Sequence, residues 1–579
     1  MRAKHRRLKL IKILLSADTV TSSDIKNMLD RICGAVGDRI LYSDLDFLQK
    51  SGLIEKVGKE GRVNLWEVKH PELRVLFKHY LYRDRITEQS LEKDAIGRYI
   101  TARLKPEDTL FLDAGSTCFH IARCLAERGE ILNVITNNLA IWYLMDHPLK
   151  WSMTGGRFEP AYMLFAGSSA EDYIKDEQLP IAIVGTRGVV PEKGLFAGDR
   201  LHTRFKEAFI ESSELIYIPA DHTKIERATG WCFTKENPKS VWCKSILVTD
   251  NNVDEKQYKA KLQNLFKAKE IVIVDKKGNS VEETEQWYFD AKIIEEVQER
   301  LLKLIESEQP MHESELEEMC GKNVSPEIVH LALFELENLL LIKKDYQAKT
   351  YQRIPQKLED MFPEGVRSRC ASNKKYKQAI AKYVVRELVT DGCLLLDAGS
   401  TTAMIANELC EQRKYKTRVV TNNLIVALYF ALKQAPIICD IIGGEFNPNT
   451  MGLVGERAAQ GITDLIADVG ILGTSEISPE GEPLCRTESE FSFKGNIVKC
   501  SKRLIIPIDH TKILRFRGGR SFLNFQDLEK LRREAIIVTD KEILRFRDKE
   551  EVKKLASIFE DRLIVVNNRG ERINGDFNR

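Results

Sequence analysis

At 579 residues the chain exceeds what a single apolar core supports, and 43% hydrophobic with 30% charged side chains is the balance of folded globular protein, which argues against both disorder and a membrane class. Its 12 cysteines are scattered from Cys33 to Cys500 without a CxxC pair, so neither a zinc site nor a disulfide scaffold is expected, and a reducing cytoplasm is the simplest setting. The net charge of +2 averages over regions of opposite sign.

Taken in chain order, the basic start has its apolar residues interleaved with Lys, which is not a signal-peptide core. No window approaches the run of about 18 apolar residues that spans a bilayer. RLKLIKILLSA, SSDIKNMLDRI and LYSDLDFLQKSGLIEKV carry helical periodicity and precede GRVNLWEV, so residues 1–69 predict three helices and a β wing. Residues 70–293 then alternate short apolar strands (LFLD, NVIT, IAIVG, LIYIPAD) with helical stretches, the pattern of a mostly parallel, Rossmann-like sheet covered by helices. Residues 294–356 repeat the winged-helix layout and residues 357–579 repeat the α/β unit.

The repeat is explicit. LFLDAGSTCFHIARCL from Leu110 returns as LLLDAGSTTAMIANEL from Leu394, and VITNNL from Val134 as VVTNNL from Val419. Gly155-Gly156 returns as Gly443-Gly444, VGTRG from Val184 as LGTSE from Leu472, and IPADHTKI from Ile218 as IPIDHTKI from Ile506. The offset between matched residues drifts only from about 284 to 290, too long for a solenoid and appropriate to duplicated whole units. Duplication predicts that the two α/β units pack on each other as an intramolecular pseudo-dimer, with further self-association left open.

DAGST falls between a buried strand and a helix in each copy, where a glycine permits a tight turn and free backbone NH groups meet the positive end of a helix dipole. Asp113, Gly115, Ser116 and Thr117, and in the second copy Asp397, Gly399, Ser400, Thr401 and Thr402, are therefore candidates to cradle a phosphorylated ligand. Thr136, Asn137 and Asn138, with Thr421, Asn422 and Asn423, also follow apolar strands, where α/β sheets place ligand groups. Gly155, Gly156, Gly443 and Gly444 would let backbone approach a ligand, and Lys206, Lys224, Lys494 and Lys512 would supply positive charge. His120, one turn into the first helix, reads as packed or exposed and not as functional. No metal or cofactor set and no catalytic group emerges from the pattern.

The order K-x-AI, LDAGST, TNN, GG, G-T, a helix with Lys and a strand ending in DHTK resembles the C-terminal sensor of DeoR-type regulators, over roughly residues 90–290 and 375–570. The resemblance implies a fold related to ribose-5-phosphate isomerase and a phosphorylated sugar or related metabolite as ligand. It also implies an acidic residue four positions before the helix lysine; Glu490 fills that place before Lys494, whereas His202 occupies it before Lys206. Cys118 stands where the second copy has Thr402. The second pocket thus keeps the family pattern more fully.

Residues 1–69 hold 14 Lys and Arg against 9 Asp and Glu, while residues 296–354 hold 7 against 12. Only the first module carries the charge that releases phosphate counterions from DNA. The Arg-Arg-Asp-Leu segment typical of DeoR-type reading helices is replaced by Tyr42-Ser43-Asp44-Leu45 and by His330-Leu331-Ala332-Leu333. Arg6, Arg7, Arg39, Tyr42, Ser43 and Lys50 remain as candidate DNA contacts. The expected function is a non-enzymatic, metabolite-responsive transcriptional regulator. The alternatives are a sensor or scaffold that does not bind DNA and, less favoured because no DGADE-like acidic cluster is found, a sugar-phosphate isomerase.

Overall fold

The structure is a computed structural model that describes residues 10, 14, 20–33, 36–50, 54–60, 63–68, 85–86, 88–144, 149–177, 179–190, 193–198, 200–234, 241, 243–252, 270–275, 277–280, 291–305, 309–321, 324–338, 342–345, 348–353, 362–412, 416–433, 435–514 and 519–573. In the first module, β1 (Val20–Thr21) and β2 (Ile54–Glu60) flank β3 (Val63–Val68) in an antiparallel sheet. Two helices, α1 (Ser22–Cys33) and α2 (Asp38–Lys50), precede the wing. Leu41, Leu45 and Leu48 recur at helical spacing on α2 and are buried, so its other face is left to solvent. Of the expected leading helix only Leu10 and Leu14 are described; both are helical and buried.

The first sensor begins with α3 (Ser90–Thr101) and runs through β4 (Thr109–Leu112), α4 (Ser116–Arg128), β5 (Asn133–Thr136) and β6 (Lys150–Glu159). The chain then crosses back to β7 (Leu179–Ile183), α5 (Arg200–Glu211), β8 (Ser213–Pro219), β9 (Ser245–Asp250) and β10 (Glu270–Val274). The strands pair in parallel in the order β10-β9-β8-β7-β4-β5-β6. The order reverses between β4 and β7, the switch point at which doubly wound sheets open a crevice.

The second module comprises α6 (Ala291–Leu304), α7 (Glu313–Cys320), α8 (Pro326–Asn338) and a three-stranded antiparallel wing of Met311–His312, Ile342–Asp345 and Thr350–Arg353. Leu29, Leu45 and Leu48 of the first module share one apolar cluster with Val297, Leu301 and Leu333 of the second, so the two modules are packed together.

The second sensor repeats the first with β11 (Gly392–Leu396), α9 (Ser400–Glu411), β12 (Thr417–Thr421), β13 (Cys439–Asn447), β14 (Val469–Ile471), α10 (Phe491–Cys500), β15 (Leu504–Pro507), β16 (Ile536–Asp540) and β17 (Leu563–Val566). Its order is β13-β12-β11-β14-β15-β16-β17, again parallel. The expected pseudo-dimer is present: β6 pairs antiparallel with β13, so one sheet runs unbroken through both sensors. Asp440 of β13 bridges Arg157 of β6 and also binds Arg418 at 2.6 Å, and the Trp142 and Phe362 rings meet 5.8 Å apart across the shared core.

The glycine pairs belong to this seam. Gly155 lies opposite Ile442 and Gly156 opposite Ile441. A Cβ on Gly155 would stand 2.3 Å from the Gly443 nitrogen, and one on Gly443 would stand 2.4 Å from the Thr154 carbonyl oxygen. Gly156 and Gly444 face the Ala166 and Val454 carbonyls of the flanking strands at 2.6 Å. The expected backbone approach is real, but what approaches is the other sensor or a neighbouring strand, not a ligand. This corrects the reading of Gly155, Gly156, Gly443 and Gly444 as ligand-facing.

Candidate functional site

The carboxyl ends of β4 and β7 open into a cavity of about 500 Å³ at the first sensor's switch point. Its floor is the turn into α4. Gly115 precedes that helix with φ at +133°, which suits glycine and leaves the first-turn NH groups without a side-chain cap. Gly115, Ser116 and Thr117 all line the cavity, and the dipole of α4 adds positive potential there.

Asp113 is 2% exposed and is held on every side: Oδ1 accepts from the Ala114 NH at 2.8 Å, Oδ2 accepts from the Gly185 NH at 3.0 Å, and the Lys206 ammonium pairs with Oδ2. Lys206 also donates to the Gly185 carbonyl at 2.8 Å. Asp113 and Lys206 thus lock the ends of β4, β7 and α5 together. Lys224, carried by the turn after β8, donates to Thr117 Oγ1 at 2.9 Å and stands 3.4 Å from Asp221. Burial opposes ionisation of Asp221, but Lys224 and Lys93 hold its carboxyl down to about 2. Lys93 is itself pushed down to about 7 by burial and by Lys224.

Of the three TNN residues, only Asn137 lines the cavity; its Nδ2 donates to the Phe165 carbonyl at 3.3 Å while its buried Oδ1 has no hydrogen-bond partner among the described residues. Such an orphan acceptor is costly unless something donates to it. Thr136 instead turns into the sheet and donates to the Leu112 carbonyl at 2.6 Å, and Asn138 caps the following turn by accepting from the Ala140 NH at 3.1 Å. Thr421 and Asn423 do the same in the second sensor, donating to the Leu396 carbonyl at 2.7 Å and accepting from the Ile425 NH at 3.1 Å. Thr136 and Asn138 thus shape the first site without lining its cavity, which revises their sequence-level reading, whereas Asn423 also donates through Nδ2 to the Gly399 carbonyl at 3.2 Å. His120 is fully buried, its Nε2 bonded to the Ile86 carbonyl at 2.9 Å, as expected of a packed residue.

The second sensor repeats the lock: Asp397 accepts from Ala398 and Gly473 at 2.8 and 2.9 Å and pairs with Lys494, which donates to the Gly473 carbonyl at 2.8 Å. Glu490 adds a second carboxylate 3.5 Å from that lysine. Burial works against the Lys494 charge, but Asp397 and Glu490 together hold its pKa above the ordinary value. Ser400 and Thr401 open α9 after Gly399, Thr402 donates back to the Gly399 carbonyl at 2.8 Å, and Asn422 Oδ1 is again an orphan.

One contact differs. Lys512 donates to the Thr474 carbonyl at 2.8 Å, not to the cradle threonine, and Thr401 Oγ1 is buried without a partner. Burial pushes Lys512 down to about 8, with Lys377 and Lys494 adding to the effect against Asp509.

The first cavity is also lined by His202, and by Arg85, Tyr162, Arg187 and Arg227, which the sequence reading had not placed in the site. Arg187 sits inside the repeated VGTRG block, so position was legible although role was not. Of the DNA-contact candidates, Arg39, Tyr42, Ser43 and Lys50 all lie on the exposed face of α2. Lys50 pairs with Asp46 at 2.7 Å. Arg6 and Arg7 lie outside the described residues.

The family model for the DeoR C terminal sensor domain matches residues 88–241 and 372–541. The HTH-type transcriptional regulator GolR of Listeria innocua is 28% identical over 258 residues, covering 44% of this chain and 93% of its own length. The glycerol-3-phosphate regulon repressor of Escherichia coli K12 is 31% identical over 144 residues, 25% of this chain and 56% of its own length. Among solved structures, ribose 5-phosphate isomerase A of Methanocaldococcus jannaschii overlaps 24% of this chain and 55% of its own at 16% identity, with a TM-score of 0.18.

Proposed function

The chain belongs to the DeoR family, whose C-terminal sensor it carries twice, and on that premise we propose that it is a cytoplasmic transcriptional regulator responsive to phosphorylated sugars or related metabolites. The observation that carries this reading is the uncapped amino terminus of α4 facing a cavity together with Thr117, Lys224 and the orphan Oδ1 of Asn137. A phosphate at the helix end meets NH donors, the Thr117 hydroxyl and the Lys224 ammonium, and a sugar hydroxyl donates to Asn137. Asp113 and Asp397 are fully engaged by lysine and backbone NH groups, so they organise the pocket and do not serve as bases. That is the ground for reading a sensor instead of an isomerase.

Regulation then rests on differential affinity: a ligand that closes the β4–β7 crevice shifts the modules only as far as it prefers the closed state. DNA is contacted by the exposed face of α2 through Arg39, Tyr42, Ser43 and Lys50. Names of relatives, a transcriptional regulator and a glycerol-3-phosphate regulon repressor, support this reading. A second reading, a sensor that docks protein instead of DNA, is favoured by one observation: Lys26 and Lys50 on that module are already paired with Asp38 and Asp46.

Calorimetry of the full chain against a panel of sugar phosphates and glycerol 3-phosphate tests the sensor. Binding that disappears in Thr117→Val/Thr401→Val is the expected result, and a chain that takes up none of the panel would sink it. Titration of labelled genomic fragments at low salt separates the DNA reading from the docking one.

A further inference from the structure

The two sensors repeat one lock, yet residues on one wall of the first sensor's cavity are exchanged in the second. In the first sensor, Arg187 follows β7 and lines the cavity at its exposed mouth. Its guanidinium passes beside Gly198, where a side-chain carbon would stand 3.4 Å from Nη1 and 3.8 Å from the His202 ring nitrogen. His202 meets the Tyr162 ring edge-on at 4.8 Å. Arg187 therefore adds a cation to the same wall as His202, and no carboxylate pairs with it among the described residues.

Each of these positions is changed in the second sensor. The LGTSE block puts Ser475 in the place of Arg187, and its hydroxyl is spent on the Leu484 carbonyl at 2.9 Å. The place of His202 is taken by Glu490. The residue corresponding to Gly198 is Arg486, but its guanidinium is drawn to Glu476 at 3.4 Å. The second sensor thus exchanges an arginine that pairs with no carboxylate among the described residues for a small hydroxyl, and gains a carboxylate. The sequence counterpart of Arg227 is Arg515, which lies outside the described residues.

We propose that the duplicated sensors read differently charged ligands: the first takes a phosphorylated metabolite with a second anionic group at its far end, and the second a singly phosphorylated polyol. The inference rests on the metabolite-sensing reading above and adds the ligand class. Both sensors open a helix after the same DAGST turn, a place for one phosphate. In the first, the opposite wall presents a guanidinium whose planar fork matches phosphate or carboxylate oxygens. At the corresponding place in the second sensor, Glu490, already 3.5 Å from Lys494, would repel a second anion. A cavity of about 500 Å³ has room for both ends of such a ligand.

The experiment is calorimetry of the full chain with three probes: glucose 6-phosphate, fructose 1,6-bisphosphate and 6-phosphogluconate. At least one of the two doubly anionic probes should bind with a stoichiometry of one per chain, and which is tighter identifies the second anion as phosphate or carboxylate. Arg187→Ser should weaken that probe about tenfold, the scale of one charge-assisted contact at a wet rim, and leave glucose 6-phosphate within about twofold. Arg187→Lys should restore part of the loss. Ser475→Arg/Glu490→His should allow a second doubly anionic probe per chain. Equal loss of all probes in Arg187→Ser, or equal affinity of the singly and doubly anionic probes, overturns the division of labour and leaves the sensing role standing. Failure of all three probes to bind the wild-type chain overturns the ligand classes assigned here, while the sensing role stands or falls on the wider panel.

Discussion

The two winged-helix modules share an element order and an apolar core, yet their second helices face different things. In the first module the polar face of α2 is open, with Tyr42 47% exposed and Arg39, Ser43 and Lys50 beside it. In the second, α8 is turned onto the first sensor. Glu337 of α8 pairs with Arg123 of α4, both about 5% exposed or less, and that guanidinium lies 4.4 Å over the Phe334 ring, which also meets His120 at 5.5 Å. Lys344 of the wing reaches Glu127, again on α4, at 3.4 Å. The difference teaches that the fold leaves the use of this helix undecided. Side chains decide it: a face that keeps cations stays available to a polyanion, whereas one that supplies Glu337 and Phe334 becomes a strut on the helix whose other end lines the first sensor's cavity.

Reversing charge on the open face is the severest way to break this comparison. Arg39→Glu/Lys50→Glu should abolish binding of genomic fragments, a loss of at least about 10³-fold at low salt, while Glu315→Lys/Glu318→Lys on the second module should change it little. Gel shifts with both variants check this, and equal effects would erase the distinction between the modules.

Next in size is the seam itself. Glu337→Ala leaves Arg123 buried without its partner and should cost about 3–5 kcal/mol in chemical denaturation, whereas Arg123→Met/Glu337→Met should recover most of that. A loss under about 1 kcal/mol would mean that α8 is not held by this pair.

A smaller change sharpens the picture of the open face. Arg39→Ala should lower the slope of log K against log salt by about 1 if its guanidinium meets a phosphate, and an unchanged slope removes it from the interface.

The smallest effect concerns pH. His330 is raised above its ordinary value of 6.5 by its hydrogen bond to Glu313, against partial burial, with the Glu313 and Glu317 charges adding to the rise and Lys344 opposing it. Because the folded value is the higher one, the contribution is complete below about 6.5 and is lost as pH rises through the folded value. Thermal midpoints should therefore fall slightly across that window and flatten in His330→Gln.

Much of this organisation was legible in the sequence because it is periodic or repeated. Leucines at helical spacing mark α2, and the twice-written DAGST, TNN and DHTK blocks place the carboxyl ends of the strands. What was not legible is direction. Thr136 and Asn137 are neighbours after one strand, and nothing in their identity says that one bonds the Leu112 carbonyl while the other faces the cavity. Gly155 reads like a ligand-approach glycine because the requirement, no Cβ, is the same when the approaching backbone is the other sensor. Arg123 and Glu337 lie 214 residues apart, and no local pattern announces such a pairing.

The antiparallel β6–β13 junction has a consequence for solution behaviour. Two separate polypeptides meeting along such an edge would part on dilution, and their assembly would be tied to how much of each is made. Tethered in one chain, the second edge meets the first at an effective concentration set by the intervening segment, which no dilution alters. The paired state is then governed by a unimolecular equilibrium, insensitive to expression level. Each half is always matched with the other and never with a copy of itself across this edge, so the two halves are free to drift apart in sequence without generating mismatched pairs.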